Sequence, residues 1–201
     1  MFLTFFFSRL KVGDFATQAL ISSILYRAFP DDPIVGEEDS SDLRVESGKE
    51  MKDRIVELAN EALTYELESG DNRSWGIGPG EQQSDTRLLD AIDRGKYEGG
   101  RIGRKMLFFV CCYDNKKLMI KLLQGMWTID PIDGTKGFLR GEQYSVCVSF
   151  IVDSIVQVGV IGCPNLPVNP QSSEQGTGCI FVAVRGQGAR QVSCTSASIF
   201  Y

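Results

Sequence analysis

Two hydrophobic periods divide the chain. Between Val12 and Phe29, the residues Phe15, Ala19, Leu20, Ile24, Leu25 and Ala28 recur at near-helical spacing and predict a helix with one apolar face. Gly13-Asp14 reads as its cap and Pro30 as its end. Met51, Ile55, Leu58, Ala62 and Tyr65 form a second stripe, which predicts an amphipathic helix over 49–67. A shorter helix is predicted over 84–94, ended by Gly95. Beyond it the pattern changes to apolar and β-branched runs. These predict strands over 126–129, 144–152, 155–161 and 179–184, with Asp153-Ser154 closing the middle two into a hairpin. Pro33-Ile34-Val35 reads as one more short strand. The Gly-, Pro-, Asn- and Ser-rich stretches over 69–80, 97–104, 162–167 and 169–178 read as loops.

One segment does not fit this arrangement. Residues 105–125 read as a strand, a turn at Asp114-Asn115 and a short basic helix, with vicinal Cys111-Cys112 and no evident core to enter. Met1 to Phe7 is apolar but short and lacks a basic leader region, so it reads as neither signal nor anchor.

The 201 residues suit a single domain with its own core. A net charge of −5 argues against a nucleic-acid polymer as partner, because binding phosphate backbones needs a basic face. It leaves room for a small phosphorylated substrate. The chain has no histidine, which removes His-based acid/base work, Ser-His-Asp nucleophiles and H-E-x-x-H zinc sites. Its six cysteines include no C-x-x-C pair, so no zinc site is read. Cys147, Cys163 and Cys179 fall in strand-like apolar surroundings and are expected as reduced core residues, which points to a cytoplasmic setting. No segment is long enough to span a bilayer. Oligomeric state is not readable.

The remaining chemistry must use carboxylates and hydroxyls, and it gathers in two places. The stretch Trp127-Thr128-Ile129-Asp130-Pro131-Ile132-Asp133-Gly134-Thr135 carries a strand into a turn. Pro131 cannot donate a ladder bond and Gly134 permits a tight bend, so Asp130 and Asp133 stand at a strand's end beside free backbone N–H groups. Asp-Pro-x-Asp-Gly is also ordinary turn chemistry. Yet hard cations such as Mg²⁺ want oxygen ligands, and N–H groups at a helix start suit phosphate. The second place is Gly36-Glu37-Glu38-Asp39, an acidic run just past a short strand.

The motif Trp127 to Gly141 closely resembles the signature of the lithium-sensitive, Mg²⁺-dependent phosphatase superfamily that includes inositol monophosphatase. The run Asp133 to Tyr144 is similar to its 3′(2′),5′-bisphosphate nucleotidase branch. Gly36-Glu37-Glu38 resembles the same family's metal motif, Val12-Gly13-Asp14-Phe15 the start of its first active-site helix, and 162–166 its Gly-Cys-Pro-Asn-Leu loop. The resemblance runs through most of 12–188, apart from 105–125 and the loop near Ser69. It implies an α/β fold, a layered α-β-α-β-α sugar-phosphatase-like arrangement. The N-terminal α+β half would be present and the C-terminal half, with its Trp-Asp metal motif, largely missing.

By that resemblance, Glu37, Asp130 and the backbone carbonyl of Ile132 hold one Mg²⁺, and Asp130 and Asp133 a second. Thr135 polarises the attacking water, and the N–H groups of Gly134 and Thr135 cradle phosphate. Lys136 and Arg140 either steer the anion or are simply solvated. The family's aspartate ahead of its first helix has no counterpart in Phe7-Ser8-Arg9-Leu10-Lys11, so it is expected to be absent. The implied activity is hydrolysis of the 3′-phosphate of adenosine 3′,5′-bisphosphate in sulfate assimilation. Rival readings are an inositol phosphate phosphatase on the same scaffold and a metal-binding fragment without turnover. For either enzyme the chain is expected to be a weak catalyst. Three carboxylates in a small space should repel, and at least one pKa should rise.

Overall fold

A computed structural model describes residues 2–64, 81–97, 105–108, 121–169 and 171–194. The predicted loop over 69–80, residues 98–104 of the predicted loop over 97–104, and the predicted turn at Asp114-Asn115 lie outside these residues.

The first helix, α1, spans Phe2–Ala28. It starts well before Val12, so Gly13-Asp14 is an interior turn of the helix and not its cap. The chain leaves it two residues before Pro30. Next come β1 (Ile34–Val35), two 3₁₀ turns (Ser40–Leu43 and Glu46–Gly48), α2 (Lys49–Thr64) and α3 (Asp85–Asp93). Asp39 caps the first 3₁₀ turn through Ser41 N–H, and the Ser84 hydroxyl accepts from Arg87 N–H to start α3. On α2 the inner face is carried by Ile55 and Ala59, with Met51, Leu58 and Leu63 packed beside them, whereas Ala62 is exposed.

The strands are β2 (Lys105–Phe108), β3 (Lys121–Asp133), β4 (Ser145–Val152), β5 (Ile155–Asn169), β6 (Ser172–Val184) and β7 (Gly188–Ser193), with a short helix α4 (Thr135–Leu139) between β3 and β4. They form one sheet in the order β1-β3-β4-β5-β6-β7, with β2 also paired to β3. β1 runs parallel to β3 and every later pair is antiparallel. The fold is mixed α/β, as expected.

Three local expectations fail. Residues 121–125 are strand, not helix, because Lys121 to Gln124 pair with Phe108 to Lys105; backbone pairing outweighs a weak helical pattern. The predicted loop over 162–167 lies inside β5, and most of 169–178 lies inside β6. The turn residues there are absorbed by breaks in register between Cys163 and Pro167 and between Pro167 and Asn169, the places where a strand tolerates proline. The hairpin at Asp153-Ser154 is as expected. Its two residues have φ of 49° and 63°, the left-handed pair that matches the strand twist in a two-residue connection.

The helices pack on one another through Phe15, Ala16, Ala19, Leu43, Ile55, Ala59, Leu88, Leu89 and Ile92. A smaller cluster of Leu25, Ile34 and Ile129, with Ile21, Trp127 and Val148 against it, seats α1 on the sheet. The Trp127 ring lies between Phe29 and Phe150, with centroids 5.2 and 4.8 Å away, and its indole N–H donates to Asp32. These contacts hold α1 alongside β1 and the end of β3, where the acidic motifs meet. Among the described residues, no helix is long and apolar enough to cross a membrane.

Candidate active site

The site begins with a fault in a ladder. Asp130 lies opposite Cys147 and Asp133 opposite Ser145, so three steps along β3 match two along β4. The extra residue is a bulge at Pro131-Ile132, where proline lacks the N–H that a regular ladder would use. In a regular strand, residues three apart point to opposite faces. Cys147 and Ser145 are two apart and share a face, so the bulge brings Asp130 and Asp133 to one face. Pro131 and Ile132 are buried beneath them. Ser145 Oγ stands 3.5 Å from Asp133 Oδ2. Gly134 then turns the chain at φ 93°, a conformation that strongly favours glycine, and leads into α4.

Asp130 is electrostatically perturbed. Its carboxyl is raised above the ordinary range by burial and by the Asp133 charge, against an opposing hydrogen bond from the Ile132 backbone. Its Oδ1 is buried and has no hydrogen-bond partner. A carboxylate oxygen removed from water and left unpaired is costly, and such groups are ordinarily paired or bound to a cation.

α1 brings a residue that is not among the candidate site residues, although it lies in the Val12-Gly13-Asp14-Phe15 stretch. Gly13 packs so closely that a Cβ there would stand 2.9 Å from Ile132 Cδ1 and 3.5 Å from the Phe138 ring. The next residue is Asp14. Its pKa is raised from 3.8 to about 7, by burial first and then by the charges of Glu38, Glu37 and Asp130. Asp14, within the helix, is thus set among the other acids. In the sequence, the resemblance of Val12-Gly13-Asp14-Phe15 to an active-site helix start is the signal for this.

Glu37 and Glu38 follow β1, which pairs with Trp127 and Thr128 of β3. That pairing places the Gly36-Glu37-Glu38 run at the same end of the sheet as Asp130. The Glu38 carboxyl is raised by burial and by the neighbouring Glu37 charge. The structure thus brings Glu37, Asp130, Ile132, Asp133, Gly134 and Thr135 to one end of the sheet and adds Asp14 and Glu38. Of the two cations considered, Arg140 is turned to the Lys136 carbonyl and to Glu142, 3.3 Å away.

Among the described residues, no three carboxylates or thiols converge closely enough to form a ready-made metal cage. All-oxygen donors, mutual repulsion and an orphaned Asp130 Oδ1 nevertheless fit a hard cation that keeps several of its waters. The nearby thiols do not compete for such an ion. Cys147, Cys163, Cys179 and Cys194 are free cysteines, and burial pushes the Cys147, Cys163 and Cys194 thiols up and away from the thiolate form.

Residues 115–200 match the inositol monophosphatase family. Similar curated proteins include 3′(2′),5′-bisphosphate nucleotidases. That of Schizosaccharomyces pombe is 40% identical over 92% of this chain and 44% of its own length. That of Emericella nidulans is 37% identical over 95% of this chain and 49% of its own. One from Arabidopsis thaliana is 36% identical over 90% and 45%. The chain spans about half the length of the curated relatives it matches.

Proposed function

We propose that this chain carries the N-terminal part of a divalent-cation-dependent phosphomonoesterase site. Its substrate would be the 3′-phosphate of adenosine 3′,5′-bisphosphate, released during sulfate assimilation, and its products AMP and phosphate. The observation that carries the reading is the buried, unpartnered Asp130 Oδ1, set on the same face as Asp133 and beside Asp14. The names of the relatives support the nucleotide class.

Glu37, Asp130, Asp133 and the Ile132 carbonyl would hold Mg²⁺, with Asp14 next to them. When bound, Mg²⁺ lowers the pKa of a coordinated water and offsets charge on the phosphoryl oxygens. The protein's own contribution is positioning. The Thr135 hydroxyl, at the start of α4, accepts a hydrogen bond from the attacking water and passes its own to a carboxylate. Asp14 adds a carboxylate beside these groups, and a bound cation would offset the repulsion that raises its pKa in the cation-free chain. The backbone N–H groups of Gly134 and Thr135 face the phosphate. Lys136 supplies the nearby cation, since Arg140 is engaged by Glu142.

The test is phosphate release from adenosine 3′,5′-bisphosphate by the purified chain with Mg²⁺, with and without Li⁺, beside Asp130→Asn. Lithium-sensitive release in wild type, lost in the variant, supports the reading. Release that is equal in both refutes it. Faster release from inositol phosphates than from the nucleotide would move the substrate class while keeping the site.

A further inference from the structure

One turn of α1 beyond Asp14, the side chain of Gln18 is wholly buried. Its amide is saturated. Oε1 accepts from the Glu37 and Glu38 N–H groups at 3.0 and 2.9 Å, and Nε2 donates to the Glu38 and Ile92 carbonyls at 2.8 and 2.9 Å. A primary amide offers two donors and two acceptor positions, so every one is used. Two glycines make the space. A Cβ on Gly36 would lie 2.5 Å from Gln18 Oε1, and one on Gly95 would lie 2.7 Å from Nε2. Gly36 N–H also donates to the Gly95 carbonyl at 2.9 Å. One side chain of α1 therefore joins the acidic loop after β1 to the end of α3.

We propose that Gln18 is a positioning residue for the cation site: it fixes the Glu37-Glu38 backbone against α1, the same helix that carries Asp14. No other side chain among the described residues has a recorded hydrogen bond to both of these backbone N–H groups. Such a link also explains why so acidic a loop stays in place. The charges of Glu37, Glu38 and Asp14 repel one another, and three part-buried hydrogen bonds between the loop backbone and a neutral amide, itself anchored to the Ile92 carbonyl, oppose that repulsion without adding charge. Partners that orient metal ligands without touching the metal commonly govern affinity by about 10–100-fold. The inference rests on the proposed cation site.

The test uses the full chain and Mn²⁺ as the paramagnetic probe, with free Mn²⁺ counted by electron paramagnetic resonance. Gln18→Met keeps the length of the side chain and removes all of its hydrogen bonds. Gly36→Ala disturbs the same amide from the loop side. Ile55→Ala, in α2, lowers stability without touching this network. In the metal-free protein, amide hydrogen exchange at Glu37 and Glu38 should speed up in Gln18→Met and Gly36→Ala but not relative to the rest of the chain in Ile55→Ala. Mn²⁺ affinity should fall at least about tenfold in the first two and stay within about twofold of wild type in the third. Faster exchange with unchanged Mn²⁺ affinity would overturn the inference and leave the cation site standing. An equal loss of affinity in Ile55→Ala would overturn it as well, since general loosening would then be the cause. Wild type and Asp130→Asn binding Mn²⁺ alike would instead overturn the cation site, and this inference with it.

Discussion

Asp14 allows the electrostatics of the acidic cluster to be measured directly. Its carboxyl has a pKa near 7 in the folded chain against an ordinary 3.8. The folded chain thus holds this proton more tightly than the unfolded chain does. The stability the group contributes is fully present below about pH 4 and is lost as pH rises through about 7. A shift of that size has a ceiling of about 4 kcal/mol. Asp14 is partly exposed, and solvent screening reduces the expected loss to about 1–2 kcal/mol. Asp14→Asn cannot ionise. In EDTA it should match wild type near pH 4 and exceed it by about 1–2 kcal/mol at pH 8, equivalent to about 3–6 °C in melting temperature for a chain of this length. Urea unfolding of both proteins across pH 4 to 8 measures this. Parallel curves, or a variant less stable than wild type at pH 8, would refute the placement of Asp14 among Glu37, Glu38 and Asp130.

Further outcomes follow from other contacts. Gly13→Val should push α1 off Ile132, since even a Cβ stands 2.9 Å from its Cδ1; the wild-type loss of stability between pH 4 and 8 then becomes shallower, as read by the same unfolding series. Partial burial works to raise the Asp93 pKa, but hydrogen bonds from Arg44, Ser40 and Lys96 outweigh it and hold the carboxyl well below the usual range. Its contribution is present above about pH 4 and lost as pH falls further, so Asp93→Asn should cost about 1.5–3 kcal/mol at pH 7 and less in acid, measured by urea titration. In Gly137→Ala the new Cβ would fall 2.0 Å from the Gln143 carbonyl oxygen; α4 must shift, and the melting temperature should drop by several degrees in thermal unfolding followed by circular dichroism.

Much of this was legible in the sequence, and the exceptions have physical reasons. The stripe from Phe15 to Ala28 gave α1, and the Asp-Pro-x-Asp-Gly run placed two carboxylates at a strand end. What the run could not show is that they share a face. That depends on how β3 and β4 pair around Pro131, a long-range fact. Asp14 was missed because Gly13-Asp14 looks like a cap, and whether a helix continues through such a pair is settled by packing, here against Ile132 and Phe138. Gln18 drew no reading from the sequence, where it is a single polar position within the helical pattern; its role depends on residues 20 and 74 positions away that close around it. The strand through Cys163 to Asn169 was hidden by Pro164 and Pro167, because the sequence does not show where a ladder can afford a gap.

The proposed function requires that Asp130 and its neighbours bind a divalent cation. It is tested most directly by thermal unfolding of the full chain with increasing Mg²⁺. Wild type should melt higher as Mg²⁺ is added, as a ligand that binds only the folded chain requires. Asp130→Asn, which lacks the charge at the orphaned oxygen, should respond little or not at all. No rise in wild type, or an equal rise in Asp130→Asn, would contradict the account.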